Sequence, residues 1–165
     1  VEICYEALGA GQKLMLFGNG GSAADAQHIA AEFSVKLAVD RPAMAAMLLS
    51  ADPSSITACG NDYGFEHIFA RQIAALGREG DVAIGFSTSG NSPNVLRALE
   101  TARQSGLGTI GFTGNDGGRM RDLCDASLVV PITGAAARIQ EMHITLGHLL
   151  CAELERRLGL VRVDS

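Results

Sequence analysis

The stretch KLMLFGNGGSAADAQH, residues 13–28, joins a strand pattern to a helix pattern through a glycine-rich loop. Residues 13–17 form a short apolar run that predicts a buried strand. A helix is predicted from about Ser22 to Leu37, with Ser22 as its N-cap and Asp25 completing a capping box. A strand, a glycine-rich loop and a helix in succession are typical of an α/β fold.

The same alternation continues along the rest of the chain. Further strands are predicted at 45–49, 82–86, 109–112 and 127–130, and further helices at 65–76, 92–106 and 136–158. Strands that alternate with helices predict a parallel sheet covered by helices on both faces. The loops after the strands at 13–17 and 82–86 would then lie at the carboxyl ends of adjacent strands, where open α/β sheets bind ligands.

The length and composition limit the possible classes of protein. At 165 residues, 47% hydrophobic and 19% charged, the chain predicts one folded domain over 1–165 rather than a disordered segment. A net charge of -5 argues against a nucleic-acid partner, and no apolar run is long enough to predict a membrane partner. Four widely spaced cysteines favour free thiols in the cytoplasm. Because the chain begins at Val1, we expect an N-terminal segment to be missing.

The loop after the strand at 82–86 is rich in hydroxyl groups. Short hydroxyl donors, a flexible glycine and the first N–H groups of a helix are the combination that holds a phosphate group. Since the loop has no Lys or Arg, its donors would be neutral. A polar turn whose hydroxyls only cap the helix is the alternative, but so many hydroxyls in six residues favour phosphate binding. The proposed phosphate ligands are Ser87, Thr88, Ser89 and Ser92.

Two predicted helices carry candidate acid–base or metal-binding side chains. His28 and Glu32 stand four residues apart and therefore emerge from one helix face, although an exposed i,i+4 pair would look the same. Gln140 and His148 share one row of the last helix and lie about 12 Å apart along its axis. An ion or a sugar could lie between them, and a core or surface role for His148 is the alternative.

Other polar and glycine residues can be explained by local structure alone. Gly147 leaves room for a close neighbour beside the last helix. His67 and His143 have no evident partner and are interpreted as structural. Asn61 and Asp62 fall in a predicted turn at 60–64, whose turn chemistry alone could explain them. The predicted core side of the last helix consists of Ile139, Met142, Leu146, Leu149 and Leu150.

The motifs, taken in order, resemble the phosphoheptose isomerases of the sugar isomerase (SIS) domain family. The resemblance extends over residues 13–158. The matching segments are GNGGSAADAQH at 18–28, RP at 41–42, GNDYG at 60–64, STSGNS at 87–92, TG at 113–114 and RIQE at 138–141. The resemblance implies a three-layer, flavodoxin-like SIS domain. It also implies conversion of sedoheptulose 7-phosphate to D-glycero-D-manno-heptose 7-phosphate, for bacterial surface heptose.

The resemblance also implies roles for individual residues. Glu32 matches the family's catalytic base and His148 its catalytic acid/base. Where relatives bind Zn²⁺, the ligands match His28, Glu32, Gln140 and His148. The substrate would contact Glu32 and Gln140 together with Asn19, Gly20, Gly21, Ser22, Asn61, Asp62, Ser87, Thr88, Ser89 and Ser92.

The family's assembly and its non-enzymatic members supply further expectations. The family implies a homotetramer with active sites at subunit interfaces. We expect an N-terminal helix used in the family's oligomer contacts to be missing from this chain, and the segment 134–137 lacks the polar residues that relatives often carry there. The alternatives are a non-catalytic SIS-fold regulator that binds the replication initiator DnaA, or a sugar-phosphate sensor. Because those DnaA-binding relatives lack the catalytic Glu and His, the presence of Glu32 and His148 favours the enzyme.

Overall fold

Helices and strands alternate in the computed structural model of the protein, which describes residues 1–161. The strands are β1 (Leu14–Gly18), β2 (Ala46–Leu48), β3 (Val82–Ser87), β4 (Gly108–Gly114) and β5 (Ala126–Val130). The helices are α1 (Glu2–Gly9), α2 (Gly21–Ser34), α3 (Pro53–Asp62), α4 (Ile68–Leu76), α5 (Pro93–Gln104), α6 (Met120–Leu123) and α7 (Ala136–Arg157), and a 3₁₀ turn at Phe65–His67 precedes α4. The predicted domain over 1–165 stays a prediction, because 162–165 lie outside the described residues.

The five strands form one parallel sheet in the order β2-β1-β3-β4-β5. Two apolar cores lie on opposite faces of this sheet: α1, α2 and α7 pack against one face, and α4 and α5 against the other. Along β1, Leu16 belongs to the first core and Phe17 to the second, as expected for a strand buried on both sides. The predicted α/β class and its three-layer, flavodoxin-like arrangement are therefore confirmed.

The sheet places the two predicted ligand loops side by side. Strands β1 and β3 are hydrogen-bonded neighbours, with Gly18 in register with Phe86. Both loops leave the carboxyl ends of these strands, as expected from the sequence. This is also the point at which the strand order changes direction, the usual ligand position in an open α/β sheet.

Helices α2 and α7 pack closely and run in the same direction. Gly21 at the start of α2 faces Gln140 near the start of α7, and Ile29 farther along α2 faces Gly147. A Cβ added at Gly147 would lie 2.6 Å from Ile29 Cγ1, so the predicted close neighbour of this glycine is confirmed. This contact determines which residues of the two helices lie opposite one another.

Several local predictions were wrong. Gly20, with a φ of 54°, is the N-cap of α2, so the predicted capping box at Ser22 does not form. Asn61 and Asp62 belong to the end of α3 rather than to a turn, because Asp52 caps a helix that starts at Pro53. Helices α1, α3 and α6 were not predicted. Met142 and Leu149 are 40% and 61% exposed and do not belong to the core side of α7.

We expect Gly147→Ala to lower the free energy of unfolding by about 1–3 kcal/mol, since the added methyl group would overlap the buried Ile29 side chain. Gly9→Ala is the matched control, because a Cβ at that helical glycine meets no atom within 4 Å. It should leave stability unchanged or raise it by about 0.5–1 kcal/mol. Chemical denaturation measures both effects, and equal stability of the two variants would contradict the proposed close contact.

Candidate active site

Three candidate side chains from α2 and α7 converge at one point. Nε2 of His28 lies 2.8 Å from Nε2 of His148 and 3.5 Å from Oε1 of Glu32. One nitrogen or oxygen of each residue lies within 4.8 Å of the corresponding atoms of the other two. The prediction that His28 and Glu32 emerge from one face of their helix is confirmed. His148 lies beside them and does not have a separate role in the core.

The surroundings of this cluster are suited to a reacting group. The side chain of His28 is 46% exposed, whereas that of Glu32 is 16% exposed. The carboxylate is therefore partly shielded, while the imidazole side of the cluster is open to an incoming ligand. Two imidazoles and a carboxylate can exchange protons with a substrate or bind a borderline metal ion such as Zn²⁺.

The loop between β3 and α5 gathers its hydroxyl groups as a phosphate site requires. Oγ of Ser87 lies 2.9 Å from Oγ of Ser92 and 3.4 Å from Oγ of Ser89. Ser92 is the N-cap residue of α5 and Pro93 its first residue, but the Ser92 hydroxyl accepts no helical N–H bond. The hydroxyl therefore faces the other loop hydroxyls instead of capping the helix, and the helix N-terminus adds its favourable dipole for an anion.

The loop between β4 and α6 packs against the hydroxyl loop, the segment 87–92 between β3 and α5. Nδ2 of Asn115 donates a 2.9 Å hydrogen bond to the backbone oxygen of Thr88. Gly90 has a φ of 65°, and a Cβ there would overlap the backbone of Gly117 and Oγ1 of Thr113. A glycine is therefore required at position 90, because any other residue would push these two loops apart.

The glycine-rich loop after β1 is tied to the start of α5. The side-chain amides of Asn19 and Asn94 exchange two hydrogen bonds of 2.8 Å. Gln140 lies against the start of α2, where a Cβ at Gly21 would be 2.8 Å from its Cδ atom. Gly20, Gly21 and Ser22 thus lie beside the hydroxyl loop, with the Ser22 side chain buried in the first turn of α2.

Other predicted site residues lie elsewhere. Asn61 donates to Asp62 across 2.7 Å, and both side chains are exposed at the end of α3. Within the described residues, no hydrogen bond joins this pair to the loop residues or to the α2–α7 cluster. Within a single chain, Asn61 and Asp62 therefore do not lie with the other candidate site residues.

Two buried polar side chains lie on the α2 and α7 helices. Burial raises the pKa of Asp25 to about 6, and the nearby His28 opposes that shift. His143 is fully buried, where burial lowers its pKa, and its Nε2 contacts the backbone oxygen of Thr113 at 3.1 Å. Phe86 and Phe112 meet the His143 ring edge-on. These contacts support the structural interpretation of His143, and neither residue belongs to the converging cluster.

Asn94 and Asn115 were not identified from the sequence. Each interacts with a backbone or amide group of a loop that is distant in the chain. No local sequence pattern signals such a contact, because an asparagine in a helix start or a turn is ordinary. Only the sheet order, which makes the loops neighbours, indicates their supporting role.

Comparisons with known proteins agree with this architecture. The family model described as SIS domain matches residues 1–114. The phosphoheptose isomerase of Paramagnetospirillum magneticum is 57% identical over 155 residues, which cover 94% of this chain and 80% of that protein. The Clostridium acetobutylicum phosphoheptose isomerase is 49% identical over 165 residues, covering 100% of this chain and 84% of that protein.

A solved structure gives the same result. The phosphoheptose isomerase of Neisseria gonorrhoeae superposes with a TM-score of 0.87 at 45% identity, over 94% of this chain and 82% of that one. Fold and site together define a sugar-isomerase-type α/β domain. The chain belongs to the SIS-domain family, among its phosphoheptose isomerases.

Proposed function

We propose that this protein is an isomerase that converts sedoheptulose 7-phosphate to D-glycero-D-manno-heptose 7-phosphate in bacterial surface heptose synthesis. The observation that carries the proposal is the convergence of Glu32 and His148 from two separate helices. It occurs in a chain 57% identical to a phosphoheptose isomerase. Four free cysteines support a reducing, cytoplasmic location, and no helix among residues 1–161 is long and apolar enough to cross a membrane.

The loops at the ends of β1 and β3 would hold the substrate. Ser87, Ser89 and Ser92 present hydroxyls to the phosphate, and Thr88 contributes from the same loop. Asn19, Gly20, Gly21 and Ser22 would line the sugar, with Gln140 over the start of α2. A substrate anchored by its phosphate at this edge could extend along α2 toward Glu32 and His148.

Aldose–ketose isomerisation moves a proton between adjacent carbon atoms through a cis-enediol. Glu32 would take the proton from C1 of the ketose and return it to C2, regenerating its carboxylate. His148 would exchange protons with the two oxygens as the carbonyl moves from C2 to C1. Each positioned acid–base group can contribute about 10²–10⁴-fold to the rate.

The donor set is compatible with Zn²⁺. His28, Glu32 and His148 offer two imidazole nitrogens and a carboxylate oxygen within 4.8 Å of one another, which is the ligand chemistry of zinc. Gln140, which the resemblance makes the further ligand, lies against Gly21 at the start of α2 and would have to turn toward the cluster to bind the ion. A bound zinc ion would supply Lewis acidity at the substrate carbonyl. Because Glu32 cannot be both a tight ligand and a free base, turnover with bound zinc would need metal exchange or a second orientation of the carboxylate.

The protein is expected to be a homotetramer with interfacial active sites. Asn61 and Asp62 lie at the exposed end of α3, a helix that has no buried side chain, and they are separate from the other site residues. A neighbouring subunit is the simplest way to bring them to a substrate. Light scattering should give about four times the mass of one chain. A monomer that isomerises sugar phosphate would contradict this assembly.

The activity test is direct. Wild-type protein incubated with sedoheptulose 7-phosphate should form the aldose, as followed by NMR, whereas a DnaA-binding regulator or a sensor would leave the sugar unchanged. Glu32→Gln should still bind the sugar phosphate, since the phosphate loop is intact, but lose about 10²–10⁴-fold in kcat. Calorimetric titration measures that binding. Near-wild-type turnover by this variant would refute the role of Glu32.

Metal content tests the zinc proposal without relying on activity. Mass spectrometry of purified protein after incubation with Zn²⁺ should find about one ion per chain. His28→Ala should lose most of it, because one imidazole ligand is removed. His67→Ala is the matched control, since His67 is partly exposed beside Glu66 and outside the cluster. Equal zinc retention in both variants would contradict the assignment of His28 as a ligand.

A further inference from the structure

We propose that Arg41 and Glu155 are positioning residues that hold Glu32 and His148 in their reactive arrangement. This inference rests on the proposed isomerase function and assigns a role to the Arg41–Pro42 motif, which the acid–base chemistry leaves unexplained. The Arg41 side chain is completely buried and that of Glu155 almost completely. Their contacts connect the end of α2 with α7.

The guanidinium group of Arg41 stabilises the last turn of α2. Nη2 donates a 2.6 Å hydrogen bond to the backbone oxygen of Glu32, and Nη1 donates at 2.8 Å to that of Phe33. Helix α2 ends at Ser34 without a basic residue in its last turn. The last carbonyl groups of a helix lack helical partners, and a cation near them is favourable. Arg41 therefore fixes the helix end that carries Glu32.

Two of the remaining donors of Arg41 point to α7 and one to the neighbouring Pro42. Nε donates to Oε1 of Glu155 at 2.8 Å, and Nη1 also donates to the backbone oxygen of Pro42 at 2.9 Å. The other hydrogen of Nη2 points to Sγ of Cys151, at 4.0 Å. All five N–H groups are thus directed at acceptors, which is the full capacity of a guanidinium. A lysine, with a single ammonium group, could not make this set of contacts.

Glu155, the ion-pair partner of Arg41, lies on the same helix as His148. It follows His148 by seven residues, which is about two helical turns, so the two side chains project from nearly the same side of α7. Oε1 of Glu155 also accepts a 3.4 Å hydrogen bond from the backbone N–H of Leu37. The ion pair thus joins α7 to α2 on one side of the reacting cluster, while Gly147 and Ile29 join them at its level.

The energetics favour a positioning role over a purely stabilising one. A buried ion pair carries a desolvation cost that often cancels its attraction, and apolar replacements can be equally stable. What apolar side chains cannot supply is the set of directed bonds to the Glu32 and Phe33 carbonyls. A displacement of about 1 Å in a catalytic group can reduce the rate by about 100-fold. Arg41 is therefore expected to affect turnover more than substrate binding.

The double variant Arg41→Met/Glu155→Leu separates the two roles. We expect it to fold, with kcat lower by about 10- to 100-fold and KM within about 2-fold of the wild-type value. Glu155→Gln, which keeps the shape but removes the charge, should show a smaller loss in kcat. Circular dichroism measures the folded fraction, and rates are expressed per folded protein.

The control is an ion pair remote from the site, between the buried Asp81 and the partly exposed Lys13. At the opposite end of the sheet, the Asp81 carboxylate pairs with Lys13 and accepts a hydrogen bond from the backbone N–H of Arg78. Asp81→Asn should therefore lower the melting temperature and leave kcat unchanged. If the folded double variant, or the Glu155→Gln variant, has the wild-type kcat, the positioning role is overturned while the proposed isomerase function is unaffected. A wild-type protein without turnover would instead overturn the proposed function, and the inference with it.

Discussion

The close parallel packing of α2 on α7 is the constraint on which the proposed site depends. Gly147 lets Ile29 approach the backbone of α7, and this contact sets which residues of the two helices face each other. As a result, His28 and Glu32 lie opposite His148. A shift of one helical turn, about 5.4 Å, would leave an acid and a base with no common target.

The sheet positions the phosphate-binding loops and the α2–α7 pair positions the acid–base cluster, and α2 extends from one to the other. The order of β1 and β3 places the glycine-rich loop next to the hydroxyl loop, where an anion can be held by neutral donors and a helix N-terminus. Helix α2 then rises about 10 Å from Gly21 to His28. That distance is comparable with the length of an extended seven-carbon sugar phosphate, so one helix relates the anchoring site to the reacting site.

The sequence predicted features with local periodicity better than features that depend on distant contacts. The apolar run at 13–17 and the i,i+4 spacing of His28 and Glu32 sufficed to predict a buried strand and a shared helix face. By contrast, Ser22 resembles an N-cap in the sequence, but Gly20 alone adopts the positive φ that the entry to α2 requires. The sequence could not predict the contacts of Asn115 and Arg41, because their partners are backbone carbonyl groups and, for Arg41, a carboxylate 114 residues away.

Isomerisation in D₂O tests whether the α2–α7 cluster transfers a proton through an enediol. Because the cluster is open to solvent on the His28 side, the transferred proton should exchange before it returns to carbon. We expect heptose 7-phosphate that carries deuterium at C2, as detected by NMR and mass spectrometry. Product formed without any deuterium at C2 would contradict solvent-exchanging proton transfer at this cluster, because it requires a direct hydride shift or return of the same proton without exchange.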